Sequence, residues 1–225
     1  MKLRIGSYNI HNGYDVGHDF SVLAQDVVDF GLDICGFQEV DLFANRSKNQ
    51  NSMAIMSKES GYPYYAFIRA LDFGKGGQYG TGILSKYPIL RYEVIPLVSD
   101  DYEPRSCGHA VIDVNGETVH FYNTHVSYEN KEIRTRQLEQ LKPILAESSD
   151  YILTADFNTA DFSELTVLPD AHLVSDADSP LLSFAERSPI DNIIFTSKYT
   201  LVDKGISQRT NHSDHTMIWA DLEAK

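Results

Sequence analysis

The chain has no long apolar run, no basic run and no cysteine framework, and each absence removes a class of protein. No stretch approaches the roughly 20 consecutive apolar residues that a membrane-spanning helix needs. The opening segment MKLRIGSYNI carries Lys2 and Arg4 in the manner of a secretion signal. Gly6, Asn9 and His11 interrupt it before an apolar stretch can form, so it reads as a first strand and the chain as cytoplasmic. The two cysteines, Cys35 and Cys107, form no C-x-x-C pair and sit among apolar or small neighbours, as buried free thiols do. Linker-like Ser/Pro tracts, charge blocks and tandem repeats are missing as well. One domain over residues 1–225, acting as a monomer, is therefore expected.

Cations are scarce: 19 Lys and Arg stand against 32 Asp and Glu, a net charge of −13. Sequence-independent binding to nucleic acid rests on cationic contacts to phosphates, so the balance argues against a large basic DNA-binding face. A nuclease is not, because bound cations and local arginines can reverse the field inside a cleft. Three catalytic signatures are also missing. There is no G-x-S-x-G elbow and no H-E-x-x-H, although His212 and His215 are three apart. The glycine-rich stretch Gly74–Gly82 fails as a phosphate loop, since Arg69 takes the first glycine's place and Gly76 follows Lys75; it reads as a loop entering a strand.

What the chain does have is short β-rich runs alternating with a few helices. Leu3–Ile10, Ile34–Val40, Gly82–Leu84, His109–Val114, Val119–His125, Tyr151–Ala155, Asn192–Thr196 and Thr216–Leu222 are rich in Val, Ile, Tyr and Phe and read as strands. Asn115-Gly116 between two of them is a hairpin signal. Val22, Leu23, Val27 and Phe30 give Ser21–Phe30 a helical apolar stripe that stops at Gly31. Asn130–Ala146 is a second helix, which Pro143 should kink or end, and Asn51–Ser60 a third, stopped by Gly61. The expected architecture is two packed mixed sheets with helices outside.

The chemistry lies in the tags at the strand ends. Leu3–Ile10 contains Asn9 and runs into His11; Ile34–Phe37 runs into Gln38-Glu39; Val119–Tyr122 runs into Asn123-Thr124-His125. Tyr151–Leu153 leads to Ala155-Asp156-Phe157-Asn158, Asp191 opens an apolar strand, and Ser213-Asp214-His215 precedes another. A carboxylate or imidazole beside core strands costs several kcal/mol unless something pairs with it. If the tags converge, Glu39, Asp156, Asp191 and Asp214 repel one another, and a divalent cation with two histidines is the natural compensation. Carboxylate and amide oxygens are hard ligands that suit Mg²⁺ or Mn²⁺ better than zinc.

The tags, in this order, resemble the endonuclease/exonuclease/phosphatase superfamily. The matches are Ser7–His11, Phe37–Val40, Asn123–His125, Ala155–Asn158, Ile190–Phe195 and Ser213–His215, spanning residues 7 to 215. The resemblance implies a four-layer α/β sandwich and a Mg²⁺- or Mn²⁺-dependent hydrolase of phosphate esters, with Asn9, Glu39 and Asp214 at the metal. It further implies His215, oriented by Asp191, as base or phosphate stabiliser, and Asp156 as the residue that positions water or handles a proton. Asn158 and His125 resemble donors to the phosphate oxygens. Two positions depart from the pattern: Ala155 stands where many members have Gly, and Asn192 where Tyr or His is usual. Arg46 and Arg105 are further candidates for the substrate phosphate, against the default of solvated charge. Tyr62-Pro63-Tyr64-Tyr65 reads as sheet-edge packing rather than a base-stacking platform, and His18, His109, His120 and His172 as surface or satisfied core histidines. The charge balance favours a small or lipid-linked substrate, cleaved as a phosphodiester or phosphomonoester, over DNA or RNA. A non-catalytic phosphate-binding module would require a lost site residue, and none is lost.

Overall fold

The computed structural model describes residues 1–74, 76–207 and 211–225. Among them, twelve strands form two six-stranded sheets. The first runs in the order β11 (Tyr199–Ile206), β12 (Ile218–Ala224), β1 (Lys2–Asn9), β2 (Ile34–Leu42), β4 (Gln78–Ser85), β3 (Tyr64–Asp72). The second runs β5 (Ile89–Leu97), β6 (Arg105–Val114), β7 (Glu117–His125), β8 (Ile152–Asp156), β10 (Asp191–Phe195), β9 (His172–Leu173). Each sheet has one parallel pair at its centre, β1 with β2 and β7 with β8, while the other neighbours are antiparallel.

Three apolar layers hold the sandwich. Between the sheets lie Leu3, Ile5, Ile34, Phe121, Ile152 and Ile193. Helices α1 (Phe20–Asp29) and α2 (Ser52–Ser60) cover the first sheet through Phe20, Leu23, Val27 and Met53, which pack with Tyr8 and Phe37. Helix α3 (Lys131–Glu147) covers the second through Leu138, Leu141 and Leu145, against Tyr122 and Leu153. Two-residue alternation sorts each strand between these layers, and the four-layer sandwich follows. Cys35 and Cys107 are buried free thiols within it.

Local signals explain the helix ends. Asn51 caps α2 by accepting from the Ala54 N–H, and Gly61 closes it at φ 73°. Asn130 caps α3, accepting from the Ile133 N–H at 3.0 Å. Pro143 does not end α3, which runs on to Glu147; Leu141 and Leu145 on either side of it are fully buried, and that packing outweighs the lost backbone hydrogen bond. The hairpin between β6 and β7 turns on Asn115 and Gly116, both with positive φ (56° and 93°).

The glycine-rich stretch corrects one expectation. It is not a loop leading into Gly82–Leu84, since β4 already begins at Gln78; Lys75 lies outside the described residues. Gly80 is needed for close backbone approach, because a Cβ there would lie 1.9 Å from the Ile68 carbonyl oxygen. Tyr62 is buried and donates to the Leu32 carbonyl, and Tyr64 and Tyr65 lie on the edge strand β3, so this cluster is sheet packing.

Candidate active site

Inward-facing residues change character along each central strand in the same direction. On β1 they run Leu3, Ile5, Ser7, Asn9; on β7 Val119, Phe121, Asn123, His125; on β8 Ile152, Thr154, Asp156. Strand β10 runs the opposite way and begins with Asp191, which pairs in register with Asp156. Parallel central strands deliver their C-termini to one edge, and the antiparallel neighbours β10 and β12 start there. All six tags therefore meet.

Below the charged layer lies a polar clamp. Gln38 Nε2 donates to Ser7 Oγ (3.1 Å) and to Asn123 Oδ1 (2.8 Å), and Thr154 Oγ1 donates to the same Asn123 oxygen (3.0 Å). Asn123 Nδ2 donates across the sandwich to the carbonyls of Phe37 and Gly82, each at 2.8 Å. Gly36 leaves the room: a Cβ there would sit 2.0 Å from Thr154 Oγ1.

Above the clamp, Asn9 Nδ2 donates to Glu39 Oε1 (3.1 Å) and Asp156 Oδ2 (3.0 Å), easing the repulsion between carboxylates from the two sheets, while its Oδ1 accepts from the His11 N–H. Strict alternation after Gln38 would turn Glu39 toward the helices. A bulge between Phe37 and Val40, with Glu39 at φ 56°, re-aims it toward Asn9. His215 Nδ1 bonds Asp191 Oδ2 at 2.8 Å, and its Nε2 lies 3.7 Å from Asp156 Oδ2. Ser183 Oγ donates to the same Asp191 oxygen at 2.6 Å. Asn158 holds Asp156 through its backbone N–H and bonds His125 Nε2 at 2.9 Å.

Electrostatics divides these groups by role. Burial pushes the Asp156 carboxyl up, Asp191 adds to this, and the help of His215, Asn9 and Asn158 leaves it at about 7. Burial disfavours a charged His215, but Asp191, by charge and hydrogen bond, with Asp156 and Asp214, outweighs it and raises that imidazole to about 10. Burial, aided by the charges of Arg105 and His215, holds His125 well below the usual histidine range. At neutral pH the site thus combines a protonated imidazole, a neutral one, and a carboxyl poised to exchange a proton.

These residues open on one cavity of about 440 Å³, lined by Glu39, His125, Asp156, Asn158, Asp214 and His215. Asp191 sits behind His215, and Asn9 behind Glu39. Arg46 and Arg105 form part of the wall. Arg46 is locked by two 2.8 Å bonds to the buried Asp41 and lies over the rings of Phe73 and Tyr79. Arg105 is 4% exposed; its Nη2 pairs with Glu103 at 3.0 Å, and its Nε and Nη1 are buried with no hydrogen-bond partner among the described residues. Asp214 stands at the rim beside His11 and Asp15, whose ligand atoms cluster with its own within 4.8 Å. Asp156, Asp191 and His215 make a second such cluster, buried. The rim cluster has the spacing of a cation site and, with Glu39 in the same cavity, offers the hard oxygen donors that a divalent ion takes, whereas in the buried cluster the protonated His215 itself balances the two carboxylates.

Sequence reading missed His11 and Asp15, Glu103, Ser183 and Phe184 as residues of this site. His11 lay inside the first tag; the others carried no signal. His109 and His120, by contrast, pair with each other (2.9 Å) and His109 with Glu93 (2.8 Å) on β5 to β7. His18 bonds the Asn12 carbonyl, and His172 pairs with Asp170.

Fold and site together define a four-layer α/β sandwich with its carboxylates and imidazoles gathered at one shared sheet edge. The chain belongs to the endonuclease/exonuclease/phosphatase family, whose model matches residues 6–215. It resembles a family protein from Bacteroides vulgatus (TM-score 0.79, 20% identity, covering 100% of both chains). It is similar also to a mannosyl-6-phosphatase from Bacteroides thetaiotaomicron (0.73, 21%, 98% of this chain and 99% of that one). A sphingomyelinase C from Streptomyces griseocarneus shares the fold too (0.69, 16%, 98% and 99%). No curated protein sequence matches the chain significantly.

Proposed function

We propose that the chain hydrolyses phosphate esters with Mg²⁺ or Mn²⁺, acting as a phosphatase or phosphodiesterase on a small or lipid-linked substrate. The observation that carries this reading is the pairing of Asp156 and His215 in one cavity with the carboxylates of Glu39 and Asp214. Glu39 and Asp214, with Asn9 beside Glu39, would hold the cation, which when bound neutralises charge on the phosphate oxygens. Asp156, raised to about 7, takes the proton of the attacking water. His215, raised to about 10, stays protonated at neutral pH and donates to a phosphate oxygen rather than acting as the base. Neutral His125, whose Nε2 lies 3.5 Å from Asp156 Oδ2, and Asn158 flank that carboxyl, and Arg46 and Arg105 face the phosphate from the wall.

Substrate size follows from volume and charge. A cavity of about 440 Å³ accepts a phosphate with one modest organic group. The net charge of −13 disfavours a long polyanion. The likeness to a sugar phosphatase and a sphingomyelinase agrees with such substrates. The test is a panel of sugar phosphates, inositol phosphates, phospholipids and single- and double-stranded nucleic acids, assayed with Mg²⁺, Mn²⁺ and EDTA. Turnover of a small or lipid ester that EDTA abolishes is expected. A folded protein inert on every phosphate ester would overturn the reading.

A further inference from the structure

The segment just before β10 joins the site by two contacts that no sequence tag announces. Ser183 is 1% exposed. Its Oγ donates to Asp191 Oδ2 at 2.6 Å, the same oxygen that bonds His215 Nδ1 at 2.8 Å, and it accepts from the Asp191 N–H at 3.3 Å. The other carboxylate oxygen, Asp191 Oδ1, is buried with no hydrogen-bond partner among the described residues. Ser183 Oγ and His215 Nδ1 are therefore the side-chain contacts that fix the rotation of this carboxylate. One of them is the imidazole it must orient. The Ser183 carbonyl in turn accepts from the Thr216 N–H at 2.6 Å, tying the segment to the residue after His215.

The next residue covers the imidazole. Phe184 lines the cavity, and its ring centroid lies 4.7 Å from that of His215. A tight turn holds it, with Phe184 N–H donating to the Ser188 carbonyl and Ser188 N–H returning to Phe184. Bridge pairing of Phe184 with both Ser188 and His215 fixes the turn against the segment that leads into β12. Two consecutive residues thus hold the two members of the pair, Ser183 the Asp191 carboxylate and Phe184 the His215 ring.

We propose that Ser183 is a positioning residue for the His215–Asp191 pair, and that Phe184 forms the wall against which His215 meets the substrate. The proposal rests on the phosphate-ester reading for its kinetic consequence, but not for its structural one. Without the Ser183 hydroxyl, the Asp191 carboxylate keeps its bond to His215 but loses the contact that fixes its rotation independently, and the aim of His215 at the reacting phosphate is loosened. The loss falls on the chemical step, since Ser183 itself has no place in the cavity lining. Phe184 touches the space the substrate fills, so its removal acts on binding.

The experiment compares Ser183→Ala and Phe184→Leu with the parent protein in two ways. Steady-state kinetics on the best ester of the panel should show kcat reduced about tenfold or more for Ser183→Ala with KM unchanged. Phe184→Leu should instead raise KM. Proton NMR of the metal-free protein supplies a readout that needs no substrate: the low-field His215 Nδ1–H resonance should shift and broaden in Ser183→Ala while the thermal midpoint confirms folding. An unmoved resonance in folded Ser183→Ala, or a loss confined to KM, overturns the proposal. Should no ester be turned over at all, the resonance alone decides it, separately from the fate of the proposed function.

Discussion

At Asn123 four hydrogen bonds meet, two to its oxygen from Gln38 and Thr154 and two from its nitrogen to the Phe37 and Gly82 carbonyls. Asn123→Leu strands several buried partners at once, each costing about 1–3 kcal/mol. We expect it to lower stability by roughly 3 kcal/mol or more, read by denaturant unfolding. Glu39→Ala should abolish metal-dependent turnover, and near-normal rates would remove Glu39 from the cation. His215→Ala should cost at least about 10²-fold in rate, the scale of a lost proton-handling group; full activity would leave it a structural role only. Residue types at the site were legible because carboxylates and imidazoles at strand ends are costly without a purpose. Their aim was less so. Alternation turns Glu39 away from the cavity, and only the bulge brings it back; Ser183 was invisible because an isolated serine has no pattern. Arg46 read by default as solvated charge, since its buried partner Asp41 is revealed only by folding.

Among elements, the eight strands read from sequence are the eight interior ones. The four not read as strands, β3, β5, β9 and β11, are the outer strands of the two sheets. An edge strand has less of its surface against a core, so its apolar alternation fades: Leu90, Tyr92 and Val94 on β5 are exposed alongside Arg91 and Glu93. β9 is two residues long and below any periodic signal. Helix ends were better marked because capping residues are chemically specific. Asn130→Ala should destabilise α3 by about 1 kcal/mol, seen as a lower thermal midpoint.

For the whole molecule, charge couples stability to pH and to cations. His215 is raised in the fold from about 6.5 to about 10, so it stabilises fully below pH 6.5 and that contribution is lost as pH rises toward 10. The metal-free protein should accordingly lose thermal stability across that window, and His215→Asn should flatten the loss; an unchanged profile in the variant would assign the loss to other groups. A cation that binds the folded form alone adds about 2.7 kcal/mol at a hundredfold excess over its Kd. Mg²⁺ or Mn²⁺ should therefore raise the midpoint by several degrees in the parent protein and not in Glu39→Ala.

The backbone twist beneath Glu39 carries a cost of its own. A side-chain-bearing residue held at φ 56° is strained by roughly 1 kcal/mol, and glycine at that point is not. Between two inactive variants, Glu39→Gly should thus outlast Glu39→Ala on heating. The contortion that weakens the strand is the same one that turns the Glu39 carboxylate out of the helix-packed layer and into the cavity, so at this point of the sheet exposure of an acid group is gained at the expense of backbone comfort.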